Sequence, residues 1–145
     1  MNNQMKLTFI ALSENESFAR SVAALFVLRL NPSVSEVADI KTAVSEAVTN
    51  AIVHGYPEEK GIVELTAEIE ENVVHISVKD FGVGIENPEG ALAPFYTTKP
   101  DEEHAGMGFT IMKTFMDEVS VRTQKGEGTV VYMKKTIIPD KEKNA

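Results

Sequence analysis

Asp80-Phe81-Gly82-Val83-Gly84 follows the most regular apolar–polar alternation in the chain, which puts the Asp80 carboxylate at a strand end. There it can accept a hydrogen bond from an exocyclic amine such as that of adenine, and Gly82 and Gly84 permit positive φ and close backbone approach to a ligand. The same five residues would also serve as a tight turn. Gly106-Met107-Gly108 falls where a long irregular stretch meets a helical pattern. Uncrowded backbone N–H groups at a helix start bind phosphate through hydrogen bonds and the helix dipole; the alternative is a flexible hinge. Lys99, in Phe95-Tyr96-Thr97-Thr98-Lys99, could approach a phosphate or stand as a surface lysine. Glu46 and Asn50, four residues apart, lie roughly 40° from each other on one polar helical face, a pattern also common on solvated helices. Asp80-Phe81-Gly82 spells the magnesium motif of protein kinases, but no His-Arg-Asp loop accompanies it and the chain is too short for that fold. The Walker pattern Gly-x-x-x-x-Gly-Lys-Ser/Thr is absent as well.

The elements that must position these groups can be read from periodicity. Met5 to Leu12 reads as a strand at a sheet edge, whose free side could pair with a second copy. Ser13 with Glu16 and Ser33 with Glu36 have the Ser-x-x-Glu spacing of capping boxes, each announcing a helix. The first helix ends before Pro32 and is apolar nearly all round from Val22 to Leu30, which implies deep burial or a face kept for a partner. The second runs to about His54, with Gly55 as its left-handed stop and Val37, Ile40, Val44, Val48 and Ala51 as its core stripe. Val63 to Ile69 and Val74 to Val78 alternate as a hairpin with one wet face. Glu86 to Ala105 shows little periodicity, and a loop of that length in an ordered domain is usually a lid or binding loop. A helix from about Gly108 to Met116 and strands near Glu118–Gln124 and Thr129–Ile138 follow, with a charged tail from Pro139.

The chain has 145 residues, 43% hydrophobic and 25% charged, which fits one globular domain. Its 14 Lys and Arg against 22 Asp and Glu give a net charge of −8, which argues against a DNA-binding or anionic-membrane surface and suits a basic protein partner. With no cysteine, disulfides, thiol nucleophiles and thiolate zinc sites are excluded. No signal peptide or membrane-spanning run is evident, so a cytoplasmic location is expected.

Order carries more than any single piece: a helix with Glu-x-x-x-Asn, a hairpin ending in Asp-x-Gly-x-Gly, a long loop, Gly-x-Gly at a helix start, then Gly128-Thr129 entering a strand. In this the chain resembles the GHKL ATPase/kinase superfamily of gyrase, Hsp90, histidine kinases and MutL. Glu46 to Asn50 match its N box, Asp80 to Gly84 its first glycine box and Gly106 to Gly108 its second. Pro94 to Lys99 is similar to the lid motif of histidine kinases. The resemblance covers almost the whole chain and implies an α+β fold, the Bergerat two-layer α/β sandwich with a mixed sheet covered on one face by helices. It implies a single ATP-binding kinase domain over residues 1–145, with a lid over about 86–105.

The resemblance further implies that Asn50 coordinates Mg²⁺, Asp80 reads the adenine amine with Gly82 and Gly84 in the same turn, and Thr129 supports adenine recognition. Gly106, Met107 and Gly108 would close backbone amides on the ATP phosphates, under a lid bearing Thr97, Thr98 and Lys99. Glu46 would be the general base for a serine hydroxyl. Many histidine kinases begin the second box with a glycine where His104 stands here. Ser13 to Arg20, Ser45 to Tyr56 and Gly106 to Met112 resemble the anti-sigma kinases of spore-forming bacteria, which implies two partners. One is a sporulation sigma factor of the sigma F type; the other is an anti-anti-sigma factor, phosphorylated on serine. Glu16 and Arg20, one helical turn apart, are the candidate sigma-binding residues, or else a surface ion pair. The histidines His54, His75 and His104 suit local hydrogen bonding better than a phosphorelay. Three other readings stay open: an ATPase whose Glu46 activates water, a binding module that uses ATP only as a conformational ligand, and an anti-sigma kinase that acts on another sigma factor.

Overall fold

The computed structural model describes residues 2–57, 61–85 and 107–138. The expected lid, with Thr97, Thr98, Lys99 and His104, lies outside the described residues, and so does Gly106. Strands β1 (Asn2–Ile10), β2 (Ile62–Glu70), β3 (Val73–Asp80), β4 (Glu118–Gln124) and β5 (Gly128–Thr136) form one sheet in the order β1-β2-β3-β5-β4. Helices α1 (Asn15–Val27), α2 (Val34–Asn50) and α3 (Gly108–Phe115) pack on one face of it. This is the two-layer α+β sandwich the sequence implies. Among the described residues the sheet is not mixed, however, because all four strand pairings are antiparallel. β3 and β4 run in the same direction, but β5 lies between them, so no parallel pair forms.

Period-two patterning sets which face is buried. Val63, Leu65 and Ala67 of β2 and Val74, Ile76 and Val78 of β3 point into the core, while Glu64, Thr66, His75 and Ser77 line the outer face. β1 is an edge strand as expected, though it begins earlier because Asn2 to Gln4 continue the ladder opposite Glu70 to Glu68. Lys135 ties the layers together: its Nζ donates to Phe115 O at 2.7 Å, a carbonyl at the end of α3, and pairs with Asp39 of α2 at 3.4 Å.

Of the two expected capping boxes one forms. Ser33 Oγ accepts from Glu36 N at 3.1 Å and Ser33 N donates to Glu36 Oε1 at 3.0 Å, starting α2. At α1 the N-cap is Glu14 with no side-chain cap, and the Glu16 carboxylate is taken instead by Arg20 one turn on in the same helix, at 3.2 Å, and by the Ser45 hydroxyl of α2. The apolar stretch is buried on one side only: Ala23, Ala24, Phe26 and Val27 are buried, whereas Leu25 and Leu28 stay more than half exposed. α2 does not stop at a left-handed Gly55. It widens into a π-turn over Ala51–Gly55, and Gly55 has no positive φ.

Candidate functional site

The reason position 55 is glycine lies across the sheet layer. A Cβ there would stand 2.7 Å from the Asp80 Cγ and 2.9 Å from both carboxylate oxygens, so the π-turn rests directly on the carboxylate. Asp80 ends β3 at 5% exposure, opposite Thr129 of β5. Its Oδ1 accepts from Gly82 N at 2.9 Å. Burial pushes this carboxyl above its ordinary 3.8, against the opposing pull of backbone hydrogen bonds from Gly82 and Thr129.

The glycines of the first box make close approaches to protein backbone. A Cβ at Gly82 would lie 1.8 Å from Gly55 O, and one at Gly84 (φ +80°) 2.5 Å from Gln124 O. Val83 N donates to Gly55 O at 3.0 Å and Gly126 N to Val83 O at 2.8 Å, so the box is a seam between the π-turn and the β4–β5 turn. Gly128 is demanded in the same way, with φ +116° and a virtual Cβ 2.1 Å from Asp80 O. Thr129 is buried, and its Oγ1 lies 2.9 Å from Thr123 Oγ1, which accepts from Ile85 N at 2.7 Å.

Glu46 and Asn50 converge on the start of α3. A Cβ at Gly108 would stand 3.1 Å from Asn50 Nδ2, 3.4 Å from its Oδ1 and 3.4 Å from Glu46 Oε2. A larger residue there would have to push both side chains back by a few tenths of an ångström beside the amides that open the helix. Met107 is its N-cap. Glu16 and Arg20 form the i, i+4 pair foreseen, and Glu16 also receives the Ser45 hydroxyl, one residue before Glu46. His75 Nδ1 lies 2.6 Å from Tyr132 OH on the outer sheet face, the local hydrogen bonding expected of it.

Four contributors escaped the sequence reading. Gly55 reads as a helix stop until Asp80 is placed under it. Thr123 is one hydroxyl in a strand of alternating residues, Ser45 one hydroxyl on a helix, and Tyr56 holds the loop by donating to Ile62 O at 2.7 Å and accepting from Phe81 N at 2.7 Å. Only the strand register and the helix packing reveal them.

The donor set fits a magnesium nucleotide. A buried carboxylate that already carries backbone donors ends β3, and an amide oxygen and a carboxylate oxygen, both hard ligands, meet at a helix N-terminus. A pH dependence follows. Because the folded carboxyl holds its proton to higher pH than the unfolded chain does, the folded state binds the extra proton between the two pKa values. The stability of the nucleotide-free protein therefore falls as pH rises through that window. The ionised form is the better acceptor for an amine, so for an adenine seated on this carboxylate the expected result is an affinity that rises over the same window. Calorimetric titration with a non-hydrolysable ATP analogue from pH 4.5 upward checks this, and an affinity that is flat in pH for the wild type would remove the carboxylate from adenine contact.

Residues 9–135 match the family model described as a histidine kinase-like ATPase domain. An anti-sigma F factor from Geobacillus sp. (strain WCH70) is 56% identical over 142 residues, 97% of each chain. One from Clostridium acetobutylicum is 53% identical over 135 residues, 93% of this chain and 94% of the relative. Among solved structures, the RsbU and RsbW domains of Rv1364c from Mycobacterium tuberculosis superpose with a TM-score of 0.68 at 21% identity, over 93% of this chain and 32% of that longer one. The catalytic domain of histidine kinase ThkA gives 0.59 at 20% identity, over 94% and 99%, a likeness of fold. With a matching domain model across most of its length and relatives above half identity end to end, the chain belongs to the anti-sigma F factor family of histidine kinase-like (GHKL) ATPase domains.

Proposed function

We propose that this protein is a cytoplasmic anti-sigma factor and Mg-ATP-dependent protein serine/threonine kinase, a single domain over residues 1–145. In this reading it sequesters a sporulation sigma factor of the sigma F type and phosphorylates an anti-anti-sigma factor on serine. The observation that carries the catalytic half is the convergence of Glu46 and Asn50 on the first residue of α3, where Gly108 leaves both side chains room. The sigma-factor half is supported by the shared name of relatives at 53–56% identity.

Bound Mg-ATP supplies an electrophilic γ-phosphoryl group. Asn50 would hold the metal through its amide oxygen. Asp80 would accept from the adenine amine, supported by Thr129 of β5 and Thr123 of β4. Glu46 would orient the acceptor serine and take its proton as the serine oxygen bonds to the γ-phosphorus and the bond to the bridging oxygen breaks, ADP being the leaving group. A carboxylate needs no raised pKa for this, since positioning supplies much of the rate and the proton leaves late. Met107 and Gly108 offer amides to the phosphates, with Gly106 and the lid residues Thr97, Thr98, Lys99 and His104 assigned to the same task by resemblance. Arg20, held by Glu16, would present a cation to the sigma factor, and the free edge of β1 suits homodimer formation.

The test is transfer of labelled phosphate from Mg-ATP to a purified anti-anti-sigma protein. Label on a serine of that protein is expected. Steady release of phosphate to water without transfer would make the protein an ATPase, and nucleotide binding with neither product would make it an ATP-gated binding module.

A further inference from the structure

Tyr56 closes the sheet at the end where Asp80 emerges. The β2–β3 ladder stops at Val63 opposite Asp80, and the next pair along would be Ile62 with Phe81. The Tyr56 hydroxyl stands between those two residues, accepting from Phe81 N at 2.7 Å and donating to Ile62 O at 2.7 Å. A single inter-strand N–H···O bond is thereby replaced by a two-bond bridge through a side chain, which parts the strands where the chain turns out of β3. The ring that carries this hydroxyl is fixed from behind. A Cβ on Gly61 would overlap its Cε1 and Cζ, and Gly61 is itself held, since its carbonyl accepts from Ala11 N at 2.8 Å.

The bridge lies one residue beyond the carboxylate on both segments that enclose it. Gly55 rests on the Asp80 side chain and Tyr56 follows it; Asp80 holds Gly82 N, and Phe81 stands between the two. We propose that Tyr56 is a positioning residue that aims the Asp80 carboxylate, and that through it the site prefers a base bearing an exocyclic amine. The inference rests on the adenine reading of Asp80 given above. A hydroxyl that donates on one side and accepts on the other fixes the Phe81 amide in place, and that amide fixes the backbone from which the carboxylate projects. Hydrogen bonds weaken steeply as their angle closes, so a small shift at Phe81 costs the amine contact first. The phosphate end of the site, built from Glu46, Asn50 and the start of α3, does not touch this bridge.

Tyr56→Phe in the full chain tests this. Phenylalanine keeps the ring against Gly61 and loses only the bridge, and both freed backbone groups are exposed, so water can take them and the fold is retained. The probes are the magnesium complexes of ADP and of purine riboside diphosphate, in which hydrogen replaces the exocyclic amine, each titrated by calorimetry. The wild type is expected to bind ADP at least about tenfold more tightly, the usual worth of a hydrogen bond to a charged acceptor. In Tyr56→Phe the ADP affinity should fall about fivefold or more, with the affinity for purine riboside diphosphate within about twofold of wild type. Gly61→Ala, which keeps the hydroxyl but drives the ring off its seat, is expected to show the same selective loss. An equal loss for both ligands makes Tyr56 a structural clamp and overturns the proposal. Unchanged affinities in Tyr56→Phe overturn it too, and leave the adenine reading of Asp80 standing. A wild type that binds the two ligands equally removes the amine contact at Asp80 and this inference with it.

Discussion

Glu46→Gln is expected to slow phosphate transfer to protein serine by about 10²–10⁴-fold, the usual contribution of a general base, while nucleotide binding holds. Glutamine has the volume of glutamate and keeps one acceptor oxygen, so the crowded junction with Gly108, where Glu46 Oε2 lies 3.4 Å from a virtual Cβ, is preserved. What it lacks is the ability to take a proton. The carboxylate is fixed from two directions. α2 is started by the Ser33 capping box, and Ser45, the residue before Glu46, is hydrogen-bonded to Glu16 of α1. A variant that binds a fluorescent ATP analogue normally but transfers slowly in a single-turnover assay isolates the proton step. Transfer at the wild-type rate would mean that Glu46 only fills space, and catalysis would then rest on positioning and the metal.

What sequence alone revealed of this site, and what it hid, divides along the range of the interactions. Glu46 and Asn50 share a face because they are one helical turn apart, and Asp80 ends a strand because the alternation before it is regular; both facts are local. The two Ser-x-x-Glu pairs show the limit. Ser33 and Glu36 form their box even though the other oxygen of Glu36 accepts from Ile138 N, but the carboxylate of Glu16 meets Ser45, twenty-nine residues on in the chain, and the box at Ser13 is lost. The mixed sheet expected from the family gave way to antiparallel pairing, since which strand separates β3 from β4 is a question of topology. Thr123 could be found only once its register opposite Thr129 was known. The nucleotide-facing reading of Gly82 and Gly84 likewise overlooked that the protein's own backbone already crowds both.

Gly55 is the sharpest case of this kind, and Gly55→Ala is expected to lower ATP affinity by at least about 10²-fold, or roughly 2.7 kcal/mol. The added methyl would sit 2.7 Å from the Asp80 Cγ, well inside contact distance, so one side must yield. The carboxylate has little room: its Oδ1 holds Gly82 N, and its backbone lies in register between Val63 and Thr129 with Gly128 packed against its carbonyl. The π-turn is no freer, because Gly55 O accepts from Val83 N and any retreat opens the seam of the first glycine box. Overpacking of this kind costs about 1–3 kcal/mol of stability, so the variant should fold and be separable by urea denaturation from one that has simply unfolded. Gly126→Ala is the control. Its φ of +82° brings about 1–2 kcal/mol of backbone strain, yet no atom lies within 4 Å of a Cβ there. Equal stability losses with nucleotide binding lost only at position 55 would tie adenine recognition to the carboxylate beneath the turn. Normal binding by Gly55→Ala would instead show that the nucleotide tolerates a displaced Asp80, and the adenine contact would have to be sought at Thr129 of β5 and Thr123 of β4.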